Sequence, residues 1–150
     1  MQANETTIRA PRPIDPRGPR FNQAVLTIAL LVGFLLQWWP VAPVMAAVLF
    51  LGAAFGPRYG PFLRLYAEAI RPRLSPPAEL EDPRPPRFAA AVGVVFLTAA
   101  TIAFALGATA LGWVLTLLVA ALAGLAAGTG ICVGCEVYLF IVGRTRAAQP

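Results

Sequence analysis

The chain has 150 residues, of which 58% are hydrophobic and 13% charged, and its mean hydropathy is +0.69. Such a balance falls outside the usual range of water-soluble domains and argues against a soluble single-domain enzyme. The net charge of +5 comes from twelve arginines set against seven acids. Because the arginines flank apolar stretches, no nucleic-acid partner is needed to explain them.

Charge is absent from two long segments, residues 21–57 and 88–135. Each exceeds the roughly 20 residues that one helix needs to cross a bilayer and suffices for two short crossings, so each predicts a helical hairpin. In the first, Trp38-Trp39-Pro40 supplies the break: two interfacial indoles followed by a proline. The predicted helices cover residues 22–39 and 41–55. In the second, Gly107-Ala108-Thr109-Ala110 interrupts bulkier residues beside Trp113, predicting helices at 89–106 and 111–131. A soluble all-α domain with a buried hairpin would show similar runs, but two of them leave too few polar faces to cover so small a core. Residues 1–20 lack the apolar centre of a cleavable signal, so the first span is expected to remain as an anchor. Gly124 and Gly128 in the fourth helix have a spacing that permits close backbone approach and, with it, a homo-oligomer.

With four crossings, every arginine falls on one side: in the tail 1–20, the connection 58–87 and the C-terminal segment 136–150. The positive-inside bias then predicts a multi-pass membrane protein with both termini and the central connection cytoplasmic. Arg17, Arg20, Trp38, Trp39, Arg84, Arg87 and Trp113 are the expected membrane-interface anchors. Asp15-Pro-Arg-Gly-Pro-Arg-Phe21 returns as Asp82-Pro-Arg-Pro-Pro-Arg-Phe88. Each copy precedes a hairpin, so the chain reads as two repeats of parallel topology. In each copy proline stiffens the entry to the helix, arginine meets phosphate, and aspartate caps a turn or pairs with an arginine. After Gly56-Pro-Arg-Tyr-Gly-Pro61, apolar residues interspersed with Arg64, Glu68 and Arg71 predict a short amphipathic helix on the inner surface. Pro72, Pro76 and Pro77 then impose an irregular path to Pro83. The predicted fold is an all-α membrane protein: four transmembrane helices as two parallel-topology hairpin repeats, with a short cytoplasmic amphipathic helix between them.

The chemically specific motif is Cys132-Val-Gly-Cys135, which holds the only two cysteines. Thiols at this spacing form a reversible disulfide or pass a thiolate between partners when geometry brings the sulfurs together. At the C-terminal end of the fourth helix the helix dipole disfavours a thiolate. A new helix starting at Cys132 would favour one, and Gly130 and Gly134 permit such a restart. Glu136 is a candidate proton acceptor or like-charge neighbour, and Tyr138 a hydrogen-bond donor or interface anchor. Cytoplasmic placement argues against a permanent structural disulfide. Helix-end packing without chemistry remains the plain alternative for the motif. With no histidine and no third cysteine, a metal site would need Glu136, a substrate or a second chain, and none is predicted; no cofactor is predicted either. Histidine-based triads and phosphate- or dinucleotide-binding glycine patterns are missing, and no acid lies within the spans to support proton-coupled transport.

The segments Asp15–Asn22, Phe55-Gly-Pro-Arg-Tyr-Gly-Pro61 and Cys132-Val-Gly-Cys-Glu-Val-Tyr138 resemble a bacterial membrane family catalogued as domain of unknown function 4395, over nearly the whole chain. Members of that family are small multi-spanning proteins often encoded near thioredoxin-like or rhodanese-type proteins. The resemblance therefore implies a soluble thioredoxin-like or sulfurtransferase partner and thiol redox exchange or sulfur relay at Cys132 and Cys135. A non-enzymatic scaffold or small pore subunit is the alternative. No family-assigned catalytic residue is carried over.

Overall fold

The computed structural model describes residues 12–56 and 59–147, and the regular secondary structure among them is helical. Arg9, Arg58 and the side chains of Arg144 and Arg146, which belong to the expected basic face, lie outside what is described. The elements are α1 (Arg17–Leu35), α2 (Val41–Phe55), α3 (Pro61–Leu65), α4 (Arg84–Ala105), α5 (Thr109–Thr129) and α6 (Val133–Ala147). α3 continues through one π turn and one 3₁₀ turn to Arg73, and an irregular segment follows to Pro83.

Both α1 and α4 start earlier than their apolar runs. Asp15 Oδ1 accepts the Arg17 backbone N–H at 2.9 Å, and Asp82 Oδ1 accepts that of Arg84 at 2.9 Å, so each aspartate closes a turn that launches a helix. Pro19, Pro85 and Pro86 are tolerated because first-turn residues have no intrahelical acceptor for an N–H. One residue before each aspartate, Ile14 and Glu81 pair with each other through two backbone hydrogen bonds, both 2.9 Å. α1 ends at Leu35 rather than at the predicted position 39, because Gln37 takes a left-handed conformation that reverses the chain.

α1 packs along α5 and α2 along α4, while α4 also packs against α5 and α6. At one end of the bundle Trp113 meets Phe34 at 5.3 Å and Phe104 at 5.0 Å between ring centroids, with Trp39 beside Phe104 at 6.2 Å. At the other end Arg87 of α4 donates to the carbonyls of Ala53 and Ala54 at 2.8–3.2 Å, capping the end of α2. Arg20 of α1 lies against Gly130, just past the end of α5. α1 therefore runs antiparallel to α5, and α2 to α4. One end of the bundle is aromatic and the other arginine-rich.

The centre is small and apolar: Leu30 and Leu97 are fully buried, with Leu26, Val41, Met45, Leu49 and Val119 around them. The outside is also apolar. Leu106 is 79% exposed and Val95 66%, a surface that suits lipid rather than water. α1, α4 and α5 are long and apolar enough to cross a membrane, and α2 is a shorter apolar helix. At 1.5 Å per residue the 22 residues of α4 span about 33 Å and the 15 of α2 about 22 Å.

Two expectations change. Trp113, expected at the interface as an anchor, is 7% exposed, because the edges of Phe34 and Phe104 enclose its ring. Of the two glycines in α5, Gly124 faces Thr27 of α1, where an added Cβ would sit 3.3 Å from Cγ2, while Gly128 has open space beside it. Of these two glycines, only Gly124 is thus used for close approach inside the chain.

Candidate functional site

The thiol pair stands at a helix start. α5 ends at Thr129, Gly130 turns the chain with φ 78°, and α6 begins at Val133. The Glu136 N–H donates to the Cys132 carbonyl at 2.9 Å, the first bond of α6, which makes Cys132 the residue preceding its first turn. α5 therefore stops before the cysteines, and residues 133–147 form a helix of their own. Gly134 explains how this turn reaches the bundle: a Cβ there would lie 2.7 Å from the Cβ of Ala89, so only a bare backbone lets α6 abut the start of α4.

Both cysteines are half-buried free thiols. The Cys132 sulfur accepts a hydrogen bond from the Cys135 thiol, together with the Cys135 and Gly134 backbone N–H groups and the Gln23 side chain, whose Nε2 lies 3.6 Å away. These donors, the Cys135 thiol foremost, bring the Cys132 pKa down to about 6 against the opposing effect of burial. Cys135 is pushed in the opposite direction. Its proton is held by the bond to Cys132, burial disfavours its charge, and the negative charges of Cys132, Glu81 and Glu136 repel it. The two sulfurs thus pull in opposite directions, the bond between them favouring the charged form of Cys132 and the protonated form of Cys135.

Glu136 is exposed on the first turn of α6 and contributes its backbone N–H to the helix start and its charge to Cys135. The half-buried Tyr138 lays its ring on Phe88 at 5.6 Å, as Tyr66 lays its ring on Phe21 at 5.7 Å. Arg17 reaches the Ser75 carbonyl at 3.2 Å, and Arg20 and Arg87 sit at the ends of α5 and α2. Trp38 and Trp39 are 52% and 47% exposed at the aromatic end. Sequence reasoning missed Gln23. Its signal was present: Asn22-Gln23 follows Phe21 where Ala89-Ala90 follows Phe88, so an amide pair stands at the mouth of an otherwise apolar run.

A cavity of about 130 Å³ opens beside Cys132 and Gln23 and extends between α1, α2, α4 and α5 as far as Phe96. No match is found among curated proteins or among solved structures. The pattern of the family described as Domain of unknown function (DUF4395) matches residues 14–142, and the chain belongs to that family.

Proposed function

We propose that this is a four-span membrane protein whose cysteine pair exchanges a disulfide with a soluble thiol partner of the thioredoxin-like or sulfurtransferase kind. The observation that carries the reading is the arrangement at Cys132: its sulfur stands at the start of a helix and accepts from the Cys135 thiol and the Gln23 amide. Stabilising the thiolate stabilises the reduced pair, and a stabilised reduced form makes the corresponding disulfide a good oxidant. In the exchange the two thiols of the partner become a disulfide, the Cys132–Cys135 bond opens to a thiolate and a thiol, and the remaining proton goes to solvent.

The four-span layout is supported by α2, which lies along α4 with Trp39 near the aromatic end and its last carbonyls on Arg87 at the other. A short span of this kind draws the bilayer thinner around it. Gathering the arginines at one end supports a cytoplasmic location for that end, and with it for both termini and the connection before α4. The two-repeat reading is supported by matched positions: the aspartate turns, Arg20 and Arg87, Leu30 and Leu97, and the stacked pairs Phe21–Tyr66 and Phe88–Tyr138. Pairing of Ile14 with Glu81 is what a twofold axis passing between equivalent residues produces.

Differential thiol trapping in intact membranes tests the function. The pair is expected to cycle between dithiol and disulfide, and a Cys135→Ser variant to accumulate a mixed disulfide between Cys132 and the partner. A pair that stays reduced and partner-free under oxidant, with no phenotype when both cysteines are replaced, overturns the reading and leaves a scaffold or pore.

A further inference from the structure

The two copies of the repeat differ where they face the cavity. On the wall from the first copy stand Asn22 and Gln23; the matching residues of the second copy are Ala89 and Ala90. At the helix start after each hairpin the second copy carries Cys132, and the first carries Gly60. All six line the same cavity, and the polar members meet there through the Gln23–Cys132 hydrogen bond. The two amides and the Cys132 sulfur therefore stand on one side of the cavity mouth, across from Ala89, Ala90 and the Arg87 side chain that caps α2. Deeper in, the lining is Leu49, Phe96 and Val119, apolar and without charge.

The volume selects the occupant. An apolar cavity of about 150 Å³ accepts benzene, so a cavity of about 130 Å³ holds no more than one six-membered ring. A dithiol that donates disulfides must be reoxidised by a two-electron acceptor, and an acceptor reached from within a bilayer is an apolar one.

We infer that the cavity between α1, α2, α4 and α5 binds the ring of a lipid-soluble quinone, with a carbonyl toward the Asn22 and Gln23 amides and the ring beside Cys132. The inference rests on the thiol-exchange reading and names its electron acceptor. The step balances: the Cys132 thiolate and Cys135 thiol give two electrons to the ring, an Sγ–Sγ bond forms, and the quinone becomes a hydroquinone. One of its protons comes from Cys135 and the other from solvent. Summed with partner exchange, the partner dithiol is oxidised and the quinone reduced.

The test uses the full chain, reduced and anaerobic in lipid nanodiscs, with a short-chain benzoquinone as probe. Quinone loss by absorbance is expected to match Cys132–Cys135 disulfide formation one for one, by alkylation and mass spectrometry. Ala90→Phe fills the cavity and is expected to slow that reaction about tenfold or more. Should that variant fail to fold, a photoreactive quinone on the unaltered chain is expected to label the first turns of α1 and α4. Diamide, a small soluble oxidant, separates the two claims. Disulfide formation with diamide but not with quinone overturns the quinone site and leaves thiol exchange standing, whereas formation with neither overturns thiol exchange. Equal quinone loss in the Cys132→Ser/Cys135→Ser chain, or label only on the lipid-facing surface, also overturns the site.

Discussion

Between α1 and α2 the chain reverses through Gln37 at φ 51°, and between α4 and α5 through Gly107 at φ 79°. The hydrogen bonds of the two turns correspond. Trp38 donates to Gly33 and Ala108 to Ala103, both at 2.8 Å, while Gln37 donates to Phe34 and Gly107 to Phe104, both at 3.0 Å. Yet α4 and α5 pack along each other, whereas α1 and α2 share few contacts. The turn follows from backbone hydrogen bonding at a helix end, which is indifferent to most side chains. Lateral packing follows from side-chain size, and the 21-residue α5 offers small residues to both α1 and α4, where the 15-residue α2 packs mainly on α4. At the junctions after the two pairs the contrast becomes chemical: Gly60 and Leu63 in one, Cys132 and Cys135 in the other.

The largest expected effect is at that second junction. Alkylation of Cys132 should rise with pH around a midpoint of about 6, well below the ordinary thiol range, while Cys135 stays unreactive at neutral pH. Losing the proton early stabilises the folded chain above the ordinary thiol range, and that contribution is lost as pH falls through about 6. Removing a donor with Gln23→Ala should move the midpoint upward and Cys135→Ala should move it further; a midpoint unmoved by both would mean these donors do not hold the thiolate. Packing comes next. An added Cβ at Gly33 would lie 2.5 Å from Val41 Cγ1, so Gly33→Val should cost about 3 kcal/mol in detergent unfolding. The corresponding position in the other pair already carries a Cβ at Ala103, and Ala103→Val should cost clearly less. Arg87→Ala strips the caps from Ala53 and Ala54 and should cost about 1–2 kcal/mol, with Arg87→Lys recovering part of it. Smallest is the turn itself. Gly107→Gln should cost about 1 kcal/mol for its left-handed backbone. Gln37→Gly should be near neutral, relief of the same strain being offset by loss of the Gln37 Nε2 bond to Phe34 at 2.8 Å. Equal costs at the two sites would show that the turns differ in more than this residue.

Much of the helical layout was legible because punctuation in the sequence acts locally. Pro40 and Gly56 bound α2 at the predicted Val41 and Phe55, and Pro61 opens the predicted helix that follows. The starts of α1 and α4 were less legible, since prolines that forbid a helix interior are harmless in a first turn that an aspartate side chain has closed. A helix restart at Cys132 was legible as one of two readings, but the extent of α6 was not, because its apolar residues lie after the cysteines in a stretch that ends in arginines, with no periodic face to mark it. Burial of Trp113 depends on where Phe34 and Phe104 come to rest, two aromatics far from it in the chain.

By itself the sequence determined the family, the apolar helices, the distribution of charge and the identity of the two thiols, because composition and local breaks act over a few residues. Only the tertiary structure decided that Cys132 precedes a helix rather than ending one. It also decided that Gln23, more than a hundred positions earlier, donates to its sulfur, and that both open on one cavity. Those facts depend on Gly134 meeting Ala89 and on α1 lying along α5, contacts between distant parts of the chain that no local pattern encodes.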